Sequence, residues 1–105
     1  MNAGRYSVGN EYEIQERLEN YFISNKIPYA REVNVKRGRI DFIADGRIFE
    51  VKKLWNKQDL FNAIGQLTYY NRCYDDKYIL VVCSEHFTPN QKEILKTLNI
   101  EARTI

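Results

Sequence analysis

The stretch from Arg39 to Lys53, RIDFIADGRIFEVKK, joins two runs of β-branched and aromatic residues through Asp45-Gly46. Asp-Gly between such runs signals a two-residue type I′ hairpin, because both central residues must adopt positive φ. A turn of that length fixes the register by counting outward: Ala44 faces Arg47, Ile43 faces Ile48, Phe42 faces Phe49, and Asp41 faces Glu50. Side chains alternate along a strand, so Asp41, Ile43, Ile48, Glu50 and Lys52 share one face, with Ile40, Phe42, Phe49 and Val51 on the other. A three-residue bulged turn would shift the register by one and undo the opposition of the two acids.

The rest of the chain is organised around this hairpin. Ile14, Leu18, Tyr21 and Phe22 recur at helical spacing and predict a helix from Asn10 to about Asn25, closed by Pro28. REVNVKR alternates and suits a strand, followed by a turn at Arg37-Gly38, so the middle of the chain is a three-stranded antiparallel meander. Beyond Asn56, the residues Leu60, Ala63, Ile64, Leu67, Tyr70 and Tyr74 repeat as a second helix, and KYILVVCS reads as a strand covered on both faces. Thr88, Pro89 and Gln91 form the start of a third helix with a capping box, whose inward stripe is Ile94, Leu95 and Leu98. IEARTI closes as a last strand. Strand, helix, strand implies a right-handed crossover and parallel pairing. The order α-β-β-β-α-β-α-β predicts an α/β fold, a mixed sheet flanked by helices, in a single domain over residues 1–105.

The acids in the hairpin bear on chemistry. Carboxylates on directly opposed residues repel, and the Ile43 and Ile48 beside them predict a partly covered face where charge is costly. A divalent cation removes that conflict, and Mg²⁺ accepts one or two protein carboxylates while keeping positions for water and a phosphate oxygen. Lys52, two positions from Glu50, is placed to orient an attacking water or offset charge growing in a phosphoryl transition state. The alternative is a surface ion-pair cluster in which Lys52 neutralises both acids, worth at most ~1 kcal/mol per pair.

A formal charge of +2 does not mark the whole surface as a nucleic-acid binder. The basic residues are local: Lys36, Arg37 and Arg39 surround Gly38, with Arg31 upstream, either a solvated turn or a phosphate-contacting patch. Cys73 and Cys83 lack CxxC spacing and read as buried free thiols. His86 reads as a loop histidine and Trp55 as a packing residue more than a base-stacking platform. MNAGRYSVGN lacks the apolar run of a signal peptide, and no window approaches the ~20 apolar residues of a membrane span, so a cytoplasmic protein is expected. With 105 residues the core is thin, and a homodimer is expected for work on a large ligand.

Asp41 followed by Glu50-Val51-Lys52 across a hairpin, after one helix and before another, resembles the PD-(D/E)xK nuclease superfamily. A second likeness lies in AIGQLTYYNR, which looks like the Q-x-x-x-Y motif of that superfamily's RecB-like branch, with Gln66 and Tyr70 in the two named places. The resemblance spans roughly Glu11 to Ser84 and departs at Ile40, where the name-giving proline would stand. It implies a restriction-endonuclease-like α-β-β-β-α-β core with a C-terminal α-β extension. It also implies a Mg²⁺-dependent deoxyribonuclease, endonuclease more than exonuclease, in which Mn²⁺ can substitute and no organic cofactor takes part. By the same resemblance the metal ligands are Asp41, Glu50, the Val51 carbonyl and a helix-one glutamate, while Lys52 and Gln66 act on the attacking water or the DNA backbone. Of the two glutamates, Glu11 shares the Ile14-Leu18 face and Glu13 points roughly opposite, which favours Glu11. DNA contacts are expected from Arg5, Arg31, Lys36, Arg37, Arg39, Lys53 and Tyr70. The alternative is a non-catalytic nucleic-acid-binding or assembly module that retains the fold.

Overall fold

The structure, a computed structural model, describes residues 3–105, with side-chain surroundings described from Glu11 onward. Its elements are α1 (Ala3–Ser24), β1 (Tyr29–Val35), β2 (Gly38–Ala44), β3 (Arg47–Val51), α2 (Lys57–Arg72), β4 (Ile79–Ser84), α3 (Pro89–Thr97) and β5 (Glu101–Thr104). This is the order expected from the sequence. The strands form one mixed sheet in the order β1-β2-β3-β4-β5, antiparallel through β3 and parallel from β3 to β5. α1 begins at Ala3 instead of Asn10, since the residues ahead of Asn10 carry no apolar stripe to mark them as helical. None of the described helices is long and apolar enough to cross a membrane.

The Asp45-Gly46 turn is type I′ in its dihedrals, with φ of 53° and 71°, and pairs Ala44 with Arg47, Ile43 with Ile48 and Phe42 with Phe49 as counted. The first turn sits one residue earlier than expected, at Lys36-Arg37, and Gly38 opens β2 opposite Val35. A side chain at Gly38 would meet the Tyr70 ring, since an added Cβ would lie 3.1 Å from Cε1 and 3.2 Å from the hydroxyl.

The sheet has an apolar layer on each face. On one face, Ile14, Leu18 and Phe22 of α1 bury Phe42, Phe49, Val51, Val81 and Cys83. The Phe22 ring meets those of Phe49 and Phe42 edge-on at 5.3 and 5.6 Å. On the other, Leu60, Ala63, Leu67 and Tyr70 of α2 and Leu95 of α3 cover Ile48 and Val82. β4, which contributes to both layers, runs between β3 and β5 and accounts for its unbroken apolar sequence. Ile40 is the exception to the expected alternation, joining the α2 layer with Ile48 instead of Phe42's layer. The β1–β2 pairing skips Glu32 and Asp41, and Glu32 has a left-handed φ of 56°. The strand therefore twists between Ile40 and Phe42 and sends them to different layers.

Both internal helix starts are capped. Thr88 and Gln91 form the expected box ahead of α3, and Asn56 with Asp59 forms one ahead of α2 that the sequence reading did not pick out. Four apolar assignments are corrected. Tyr21 and Leu98 are exposed, Leu98 because it is the α3 cap and not part of the stripe; Cys73, just past α2, is exposed, while Cys83 is buried. Trp55 is 66% exposed and does not pack. His86 lies in the exposed loop after β4, as expected.

Candidate active site

At the open end of the hairpin the chain stops obeying the ladder. Counting on from Phe42 and Phe49 would pair Asp41 with Glu50, yet the β2–β3 pairs end at Phe42. There Asp41 Oδ2 accepts the Val51 backbone N–H at 2.8 Å. The carboxylate thus takes the donor that a strand partner would otherwise satisfy. On β3, Glu50 pairs in register with Val82 of β4 and is 6% exposed. Lys52 follows, anchored by its own N–H donating to the Cys83 carbonyl at 2.9 Å.

Asp41, Glu50 and Lys52 converge on the α2 side of the sheet, in a cavity of about 740 Å³ that Gln66 and Tyr70 also line. The Lys52 Nζ is 4.0 Å from Glu50 Oε2, beyond hydrogen-bond reach. Two polar atoms in this group, Glu50 Oε1 and Gln66 Oε1, are buried with no hydrogen-bond partner. Such orphaned acceptors are rare in folded proteins and cost stability.

Electrostatics follow from the same placement. Burial, reinforced by the charge of Asp41, pushes the Glu50 carboxyl up to about 9 against the pull of Lys52. Burial also lifts Asp41, to about 6, although the Val51 N–H and Lys52 draw it down. Burial and mutual repulsion thus both favour the protonated form of the pair. The Tyr70 phenol is raised first by burial and then by Glu50 and Asp41, which places its hydroxyl within their field.

Glu11 and Glu13 separate as the helical wheel indicates. Glu13 is exposed, whereas Glu11 is half-buried, accepts the Lys53 backbone N–H at 3.3 Å and raises both acids by its charge. Glu11 does not join them, however. Among the described residues no three His, Cys, Asp or Glu side chains meet closely enough to hold a metal ion. Asp41 and Glu50 are brought together, with Glu11 to one side.

The basic residues divide sharply. Arg37 in the first turn and Arg39 on β2 line the cavity and are exposed, Arg39 in a solvent-exposed ion pair with Glu32 at 3.5 Å, and Lys36 is exposed beside them. Arg31 is placed elsewhere: its guanidinium bonds Glu16 at 2.6 Å and Glu19 at 2.8 Å and lies 5.3 Å from the Phe42 ring, tying β1 to α1. Lys53 is likewise committed, its Nζ paired with Glu85, which also holds Arg17. Tyr70 is 4% exposed and packs as a core aromatic beneath Gly38, so it presents no free face to a base. Arg31, Lys53 and Tyr70, expected as DNA contacts, are thus each engaged within the fold. Arg5 lies outside the residues whose side chains are described. The cavity also includes Phe61, Asn62, Gly65 and Tyr69, which the sequence reading passed over. Their signal was their position, since 61/62, 65/66 and 69/70 stack one turn apart on the face that carries Gln66.

No protein-family model matches the chain. A crystal structure of a repair endonuclease from Pyrococcus abyssi superposes with a TM-score of 0.66, over 84% of this chain and 45% of that one, at 14% identity. This chain has the fold of those endonucleases. A complex of EndoMS with double-stranded DNA gives a TM-score of 0.62, over 84% of this chain and 42% of the other, at 16% identity. At such identities the likeness is one of fold. A KilA-N domain-containing protein of Acanthamoeba polyphaga mimivirus is 39% identical over 72 residues, 69% of this chain. The chain spans about a quarter of that relative, 26% of its length.

Proposed function

We propose that the chain is a Mg²⁺-dependent deoxyribonuclease of PD-(D/E)xK type that cuts within DNA strands, with Mn²⁺ able to replace Mg²⁺. One observation carries this reading: an acid pair and a glutamine, with two buried oxygens lacking any partner, share one cavity with a lysine and two exposed arginines. Those unpartnered oxygens are hard donors of the kind Mg²⁺ selects. The fold shared with repair endonucleases supports the same reading.

Asp41, Glu50 and the Val51 carbonyl would hold the cation, with Glu11 next to them. When bound, it would polarise a phosphoryl oxygen and lower the pKa of a water. Lys52 offsets the negative charge that grows on the phosphate and steers the water toward it. Gln66 offers its amide oxygen to a proton of that water. Arg37 and Arg39 grip the flanking phosphates, and α2 closes one side of the cavity against bulk solvent. Gln66 with Tyr70 one turn on is also the arrangement that supports the RecB-like branch.

A second reading, a non-catalytic nucleic-acid-binding module, is favoured by the third acid, Glu11, standing apart from the pair. A cleavage assay on duplex, single-stranded, flapped and four-way DNA, with Mg²⁺, Mn²⁺ or chelator, separates the two. Nuclease action predicts metal-dependent cutting that Glu50→Ala abolishes and Lys52→Ala reduces by about 10²- to 10³-fold, with DNA affinity retained. DNA binding without cutting by the unmodified chain, or full activity in Glu50→Ala, would refute it.

A further inference from the structure

The α2 wall of the cavity has a feature that the acid pair does not use. Phe61 lines the cavity yet is 49% exposed. One turn on stands Gly65, in the interior of a 16-residue helix, where glycine is less favourable than alanine. Nothing in the packing requires it, because an added Cβ would have no atom within 4 Å. Its backbone does not require it either, since Gly65 is not among the positive-φ glycines. The wall therefore presents an aromatic ring beside a bare strip of helix, and Gln66 follows.

Arg37 and Arg39 line the same cavity. Guanidiniums that follow a phosphate chain, combined with an exposed aromatic face, are how proteins hold single strands, because every base has a face to stack. In a duplex those faces are covered by neighbouring pairs, and Phe61 could reach one only after unstacking. Positive charge selects a polyanion, and the ring together with the empty strip selects a polyanion whose bases are free.

We infer that Phe61 and Gly65 form a slot for an unpaired DNA base beside the phosphate to be cut, so that the preferred substrate is single-stranded or flapped DNA. The inference deepens the nuclease reading and rests on it for where the cut falls. The slot itself can be tested without cleavage.

Fluorescence anisotropy in chelator would compare a labelled oligothymidine, a blunt duplex of equal length and an oligomer of abasic residues. The slot predicts that oligothymidine binds at least about tenfold more tightly than either of the others. Phe61→Ala should cost oligothymidine about 5- to 150-fold in affinity, the range of one stacked base. Phe61→Tyr should restore it. Gly65→Leu should weaken the same binding with an undiminished melting temperature, because leucine favours a helix over glycine and its Cβ meets no atom within 4 Å, which leaves the rest of the side chain to fill the slot. Equal binding of the abasic oligomer, or oligothymidine affinity unchanged in Phe61→Ala, would overturn the inference. Base-dependent single-strand binding with no cutting in Mg²⁺ would remove the nuclease reading and leave the slot standing. Cutting of blunt duplex at a rate untouched by Phe61→Ala would do the reverse.

Discussion

The two ends of the β2–β3 hairpin lie only a few residues apart and are built on opposite principles. At the turn end, Asp45 and Gly46 adopt the dihedrals their turn needs, the register pairs close, and Phe42 and Phe49 bury against Phe22. At the open end the ladder stops, two carboxyls are pushed up by burial, and an acid oxygen and an amide oxygen are left without partners. Locally consistent choices make a stable structure, and a site that violates them is held in place by the rest. The turn end holds the open end against its own preference. The difference teaches that the acid pair was not selected for stability.

The comparison breaks first at the turn end. Phe49→Ala removes a fully buried ring that α1 packs on, and should cost about 3–5 kcal/mol by chemical denaturation; a loss below about 1 kcal/mol would mean the two layers do not depend on this contact. At the open end the sign reverses. Glu50 has a folded pKa raised to about 9 from 4.5, and Asp41 one raised to about 6 from 3.8. Their contribution is thus fully present below the unfolded values and is lost as pH rises through the folded ones. Without metal, the melting temperature should fall between about pH 5 and pH 9, and Glu50→Gln should flatten that fall. Adding Mg²⁺ should raise the melt most at the alkaline end, where the ligands are already deprotonated. A metal-free melt that climbs over this interval would contradict the assignment. A smaller effect separates slot from core: Gly65→Ala should stabilise by about 0.5–1 kcal/mol. The smallest is at the rim, where exposed Arg37→Ala should change stability by less than about 0.5 kcal/mol while weakening DNA binding.

What could be read in the sequence was what depends on neighbours in the chain. Asp45-Gly46 carried its turn and register, Thr88-Pro89-Asn90-Gln91 carried its cap, and the unbroken apolar run of β4 carried its central place. Long-range partners were not legible. Arg31 reads as a free cation until Glu16 and Glu19 are folded against it, and Lys53 until Glu85 arrives from beyond β4. Tyr21 and Leu98 matched a helical period but fell on edges that the sheet does not cover. For the site, Asp41, Glu50, Lys52 and Gln66 were marked by motif and do line one cavity. Phe61 and Gly65 had no motif. Their place emerges only when α2 is laid over the sheet and its exposed ring lines the same cavity as the acids.

The most direct test of the central claim is anomalous diffraction from crystals soaked in Mn²⁺. The account predicts one manganese peak within bonding distance of both the Asp41 and Glu50 carboxylates. Cleavage-competent protein showing no peak there, with the two carboxyls sharing a proton instead, would contradict it.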